Sequence, residues 1–327
     1  MAFDGVPDEG AAIPDPRVMS EAEARALDAA IGPIPWEVPP VGTEAVRYRV
    51  PSGELAGWAL GDPDGPRIVL VPGATGSKED FVLMLPLLAR AGFRVEVIDL
   101  AGQFQSAEAG PERLLPPRER YDHELFVDDL VAVLGAGRAP AHLLGYSFAG
   151  TVAQLAAVRH PELVASLTLL TVPPVSGHVF RKASGYYGLL SVVSMTVGPR
   201  GGAGILAWGI RTNKNHVDAQ RHGFVMRRLE VTRWSSVVDI FRLMARTPDL
   251  ADEVRALRIP KLVAFGSHDL WSSRAHRRYA ARIGARTAEY PTGHSPCETA
   301  PHQLVRDMVR TIAAGPAPAP APPTSVE

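Results

Sequence analysis

Apolar positions along this chain fall in short β-rich runs that alternate with stretches of helical spacing. Ala45–Val50 and Leu55–Leu60 flank Pro51-Ser52-Gly53 and predict a β-hairpin. Arg67–Val71 (RIVLV) reads as a strand stopped by Pro72-Gly73, Phe81–Arg90 as a helix, and Arg94–Ile98 (RVEVI) as a strand ending at Asp99. Tyr121–Leu134 has helical spacing, His142–Gly145 is a strand, Phe148–His160 a helix and Leu163–Leu170 a strand. After an interruption the alternation resumes with the strand Lys261–Gly266 (KLVAFG), helix Ser272–Ile283, strand Thr287–Tyr290 and helix Ala300–Ala313. Continuous apolar strands joined by crossover helices imply an α/β fold, a mostly parallel sheet with helices on both faces. The hairpin adds antiparallel strands at one edge.

The expected body is therefore 45–172 together with 256–314. Residues 173–255 between them have few convincing strands and read as a helical insertion between two sheet strands, with a flexible turn at Gly198–Gly204. This insertion carries twelve Lys and Arg against six Asp and Glu, a net +6 on a body of −7. Residues 1–44 form a Pro-rich extension poor in core material, with one short helix over Ser20–Ile31 for which Ser20 and Glu23 have capping-box spacing. Residues 315–327 alternate Ala and Pro and read as a disordered tail.

A chain of 327 residues that is 46% hydrophobic buries a core without staples, and suits one large domain with an insertion. Its formal net charge of −1 gives no reason to expect nucleic-acid binding. The single cysteine, Cys297, excludes an internal disulfide framework and a multi-cysteine zinc site, and is read as structural. No apolar run reaches the roughly 18–20 residues needed to span a bilayer. Asp4, Asp8, Glu9 and Asp15 stand where a secretion signal would be basic and then apolar, so a cytoplasmic protein is expected.

The strongest chemical signal is Gly145-Tyr146-Ser147-Phe148-Ala149-Gly150, a strand running into a helix with serine at the apex of the turn. Small residues on either side let strand and helix approach, which lifts the Ser147 hydroxyl above the sheet at a helix N-terminus. Asp269 follows the strand Lys261–Gly266, and His294 lies in the loop after the next strand. In a parallel sheet both positions fall on the same edge as Ser147. His294 would take the serine proton, and Asp269 would fix the imidazole tautomer. The backbone N–H groups of Ala74, in the loop after the strand Arg67–Val71, and of Phe148 are candidates for an oxyanion hole. Taken singly, each has a plainer reading: a serine in an ordinary turn, an aspartate capping a helix, a polar loop histidine.

These segments resemble the α/β-hydrolase family over roughly Val46–Ala313. The resemblance rests on Gly145–Gly150, Gly266-Ser267-His268-Asp269, and Gly293-His294-Ser295-Pro296 with Glu298 and Pro301 beyond. Asp99–Ser106 is similar to the family's D-x-x-G-x-G-x-S segment with Phe104 in place of the middle glycine, and Pro72 replaces the histidine usual before the oxyanion-loop glycine. The resemblance implies a Ser147-His294-Asp269 triad, no metal or organic cofactor, and a cap over 173–255 that supplies most of the substrate pocket. A serine nucleophile sets the chain apart from the epoxide hydrolases and haloalkane dehalogenases of this fold, which use aspartate.

The expected reaction is hydrolysis of an ester or thioester of a small acyl substrate. Alternatives are acyl transfer, carbon–carbon bond hydrolysis, or a ligand receptor that keeps the triad. Candidate pocket residues are Tyr146, Tyr186, Trp208 and Trp234, with Tyr187, Phe224 and Phe241 nearby in the sequence of the insertion. Arg221, Arg227, Arg228 and Arg233 either face solvent or, turned to the entrance, would draw anionic thioesters or an acidic carrier domain.

Overall fold

The computed structural model describes residues 14–179, 185–213 and 217–316, with backbone alone over 185–197. Most of the expected Ala/Pro tail lies outside the described residues. Eight strands form one sheet: β1 (Glu44–Val50), β2 (Gly53–Leu60), β3 (Arg67–Val71), β4 (Arg94–Ile98), β5 (Ala141–Tyr146), β6 (Val164–Leu170), β7 (Lys261–Gly266) and β8 (Arg286–Tyr290). Their spatial order is β1-β2-β4-β3-β5-β6-β7-β8, antiparallel through β1, β2 and β4 and parallel from β4 to β8. Every residue of β3 and of β7 is buried, as strands covered on both faces require, whereas β1 at the edge alternates between exposed and half-buried positions.

The period of two in the central strands divides the core. Val69, Val71, Leu143, Leu167, Val263 and Phe265 point to one face. There they pack under α3 (His123–Gly135) and α4 (Phe148–Arg159). Ile68, Leu70, Leu144, Leu170, Leu262 and Ala264 point to the other, under α2 (Met84–Arg90). The C-terminal helix, Pro301–Ala313, covers that second face as well.

The extension is less detached than its composition suggests. Helix α1 (Glu21–Ala29) starts with the expected Ser20/Glu23 capping box, and Met19, Ala24 and Trp36 are buried. Asp28 accepts hydrogen bonds from the backbone N–H groups of His302 and Gln303, capping the first turn of the C-terminal helix from another element. Its Oδ1 also bonds His302 Nδ1 at 2.8 Å.

Between β6 and β7 run α5 (Gly185–Arg211), α6 (Ala219–Val231), α7 (Trp234–Met244) and α8 (Ala251–Ala256). The glycine run is no flexible turn. Gly198, at φ +72° and ψ −171°, kinks α5, and Pro199, whose fixed φ suits the first position of a helix, restarts it. Helix α8 packs on α4 and on α9 (Ser273–Ile283), burying Ala251 and Val254 in the first core. The remaining helices are α10 (Pro296–Thr299) and α11, the C-terminal helix already described. Among the described residues no helix is long and apolar enough to cross a membrane.

Candidate active site

Ser147 lies between the end of β5 and the start of α4, at φ 52° and ψ −119°. A residue with a Cβ reaches this left-handed region only at a cost, so the surrounding packing must impose the turn. A Cβ at position 145 would lie 2.6 Å from the Ala149 carbonyl oxygen, and one at position 150 would lie 2.0 Å from Val172 Cγ1. Glycine at both places is what lets α4 fold back onto the sheet. The Ser147 N–H donates to the Leu170 carbonyl at 2.8 Å, tying the apex to β6.

The three side chains anticipated from strand ends meet here. Ser147 Oγ is 3.1 Å from His294 Nε2, and His294 Nδ1 is 2.5 Å from Asp269 Oδ1. Asp269 also accepts from the Leu270 N–H at 2.7 Å, while the capping of α9 falls to Ser272 instead. Burial alone would raise the Asp269 carboxyl, but His294 and His276 facing it hold it below the ordinary aspartate range. With the carboxylate accepting at Nδ1, the Nε2 lone pair of His294 is directed at the serine hydroxyl. His294 keeps some access to solvent at 27% side-chain exposure, and Asp269 has none.

The histidine loop is fitted closely to the end of β7. A Cβ at position 266 would lie 2.1 Å from the Gly293 carbonyl oxygen and 2.3 Å from that of Thr292. Thr171 Oγ1 donates to the His294 carbonyl at 3.0 Å, and the Tyr146 ring sits 5.5 Å from the imidazole with its hydroxyl 2.8 Å from Ser295 Oγ. Gly266→Ala is expected to push the loop outward and lower kcat by at least about 100-fold, since misplacing a reacting group by about 1 Å has effects of that size. Steady-state kinetics beside a thermal melt would check this, with the loss in rate exceeding any loss in stability.

The loop after β3 runs alongside the serine: a Cβ on Gly73 would be 3.0 Å from Ser147 Cβ. Ala74 follows directly. The Phe148 N–H is the first of α4 and lacks an intrahelical acceptor, so both candidate donors border the serine. This loop leads into a buried ionic cluster that sequence reasoning missed. Lys78 donates through its backbone N–H to Asp99 Oδ1 at 2.7 Å and through Nζ to Asp99 Oδ2 at 3.1 Å, and Nζ also pairs with Glu79 at 2.8 Å. Asp80 receives Arg228 at 2.6 Å and Arg221 at 3.1 Å, both from α6, and Arg221 also pairs with Glu298 in α10. Burial would raise the Asp80 carboxyl, yet the two guanidinium groups hold it below its ordinary value. Glu298, buried with one arginine and close to Asp80, is pushed up to about 7.

The four arginines singled out in the insertion each meet a carboxylate. Besides Arg221 and Arg228, Arg227 pairs with Glu37 and Arg233 with Glu112, each at 2.6 Å. Of the candidate pocket residues, Tyr146 borders His294, whereas Trp208 and Trp234 are 46% and 45% exposed on α5 and α7. Phe224 is fully buried against Trp36, Phe104 and Arg221. Phe104, standing where the resemblance has a glycine, takes a positive φ of 39°. The side chains of Tyr186 and Tyr187 lie outside the described residues. Cys297 is buried, and burial pushes its thiol well above the ordinary range.

Comparison with known proteins agrees with this architecture. Over 110 residues, 33% of this chain, the sequence is 34% identical to bifunctional epoxide hydrolase 2 of Rattus norvegicus, spanning 19% of that protein. Over 161 residues, 47% of this chain, it is 32% identical to the dihydrolipoyllysine-residue acetyltransferase component of the acetoin cleaving system of Pseudomonas putida, spanning 41% of it. The chain therefore matches less than half the length of either relative. The crystal structure of the enol-lactonase from Burkholderia xenovorans LB400 superimposes with a TM-score of 0.62 at 19% identity, covering 82% of this chain and 100% of that one, a likeness of fold. Residues 68–307, from β3 into the C-terminal helix, match the alpha/beta hydrolase family, and this chain belongs to that family.

Proposed function

We propose that this hydrolase cleaves an ester by acyl transfer to Ser147 and then to water. The observation that carries the reading is the unbroken hydrogen-bonded line from Ser147 Oγ through His294 to Asp269 at the C-terminal edge of the sheet. As the hydroxyl attacks the carbonyl carbon, its proton passes to His294 Nε2, and Asp269 stabilises the imidazolium. The carbonyl oxygen becomes an oxyanion beside the N–H groups of Ala74 and Phe148, favoured further by the positive end of α4. Collapse expels the leaving oxygen with the proton from His294. Water activated by the same imidazole then releases the acid.

The serine sets this mechanism apart from an aspartate nucleophile, despite the partial match to an epoxide hydrolase, because a hydroxyl needs the adjacent base and yields an acyl ester. A small uncharged acyl substrate is proposed in preference to a carrier-bound anionic thioester. Arg221, Arg227, Arg228 and Arg233, the candidates for steering such a carrier, each face a carboxylate. Helices α5–α7, proposed as the cap, would close the pocket from above. Incubation with a fluorophosphonate, followed by peptide mass spectrometry and assays on p-nitrophenyl esters, acyl thioesters and lactones, tests the reading. Adduct on Ser147 with esters or lactones preferred supports it, and adduct elsewhere overturns it.

A pH profile adds a second check. Because Asp269 is held below the usual carboxylate range, it stays ionised through the neutral range, and only a neutral imidazole can act as base. On the acid limb kcat/KM is expected to rise about tenfold per pH unit, the signature of one titrating group. A rise near a hundredfold per unit would mean that Asp269 titrates in the same range.

A further inference from the structure

Asp269 has a second imidazole behind it. His276, seven residues on in the first turns of α9, is fully buried and places Nε2 2.7 Å from Asp269 Oδ2, while His294 Nδ1 occupies Oδ1. The ring is clamped. It stacks on Phe265 of β7 at 4.6 Å and 11°, and its edge meets Trp271 at 6.3 Å and 84°; the Trp271 ring itself lies 6.0 Å from His294. The Trp271 indole N–H is in turn anchored on the Val179 carbonyl at 3.1 Å. His276 Nδ1 has no hydrogen-bond partner among the described residues. An imidazole in that setting carries its proton on Nε2, since a buried N–H with no acceptor is worse than a bare lone pair.

From this geometry we propose that His276 is a positioning residue for the reaction. Resting on the assignment of Ser147, His294 and Asp269 above, it makes the site a line of four side chains. A carboxylate held only at Oδ1 could swing about its Cβ–Cγ bond and present either oxygen to His294. The Nε2–H of His276 takes Oδ2, the Leu270 N–H shares Oδ1, and the carboxylate plane is thereby set. That plane aims Oδ1 at His294 Nδ1, which keeps the Nε2 lone pair on the serine. Phe265 and Trp271 hold His276 in turn, so the orientation of the reacting imidazole is traceable to the packing of β7 and α9. His276 touches no substrate. Its loss acts on the chemical step and not on binding.

The test compares three variants. His276→Phe keeps the stack on Phe265 but removes the donor. His276→Gln places an amide N–H at the reach of Nε2, and His276→Asn, one methylene shorter, falls short of Oδ2. Losing a hydrogen bond to a charged group predicts a fall in kcat of roughly 10- to 100-fold for Phe and Asn with KM unchanged. His276→Gln is expected to recover most of the rate. In the proton spectrum, the low-field resonance of the His294 Nδ1–H is expected to broaden or shift upfield in Phe and Asn and to persist in Gln. Wild-type kcat in His276→Phe, or Gln and Asn indistinguishable in rate and resonance, overturns the proposal. The Gln and Asn pair decides it even where Phe fails to fold. Loss of fluorophosphonate labelling in Ser147→Ala alongside an unaffected His276 series would leave the serine reading standing and remove only this inference, whereas labelling that survives in Ser147→Ala removes both.

Discussion

Ser147→Ala is expected to lose all fluorophosphonate labelling and about 10⁶-fold in kcat, the scale on which loss of a triad serine acts. The magnitude is large because the parts work as a unit. On the proposed mechanism, without the hydroxyl His294 and Asp269 remain around an empty position, and only the N–H groups proposed for the oxyanion persist, which would sustain roughly 10³–10⁴ over the uncatalysed rate. The fold is expected to survive intact. Alanine keeps the Cβ that already occupies the positive-φ apex, and the backbone bond from position 147 to Leu170 does not involve the side chain. Intact-mass spectrometry after labelling, with a thermal melt on the same sample, checks both halves. Persistent adduct in a folded variant would place the nucleophile elsewhere.

Asp80→Leu carries the largest expected effect on stability. Asp80 receives Arg221 and Arg228 from α6 while almost wholly buried, so its removal strands guanidinium charge in the interior. Breaking a buried pair in this way typically costs about 3–5 kcal/mol, which for a chain of this size means a fall in Tm of the order of 10 °C. Adding Arg228→Met to Asp80→Leu should recover much of that loss, because an apolar pair of similar volume needs no partner and Arg221 retains Glu298. Differential scanning calorimetry on the single and double variants measures it. A single variant melting with the wild type would show that the cluster contributes nothing to the fold. Activity should fall with stability in the single variant, since Asp80 closes the same loop that presents Ala74, accepting from the Ser77 N–H at 3.3 Å.

What the sequence discloses here is what local pattern encodes. β3 and β7 are unbroken apolar runs, and a run buried on both faces has one placement in a parallel sheet, so the ends of β5, β7 and β8 could be brought to one edge before any coordinates. Ser147, Asp269 and His294 were legible for that reason. His276 was not. A lone histidine on a helix with a strongly polar face reads as surface, and only the packing of α9 onto β7 turns it inward. Lys78, Glu79 and Asp80 look like a solvated turn, and Arg221 and Arg228 look like the wet side of α6. Asp80 is neutralised by Arg221 and Arg228 across 141 and 148 residues, and Lys78 by Asp99 across 21, pairings that no local signal records. The run Gly198–Gly204 misleads in the opposite sense: its composition suggests a loose turn, yet Pro199 is well placed to begin a helix.

The N-terminal segment binds the beginning of the chain to its last helix and to the insertion at once. Asp28 holds the start of α11, Trp36 lies 4.1 Å beneath the Arg221 guanidinium, and Glu37 grips Arg227. During synthesis α1 has nowhere to dock until Pro301–Ala313 has been made, and Trp36 must wait for α6. Burial of Met19 and Trp36 is therefore a long-range event that waits on elements far downstream.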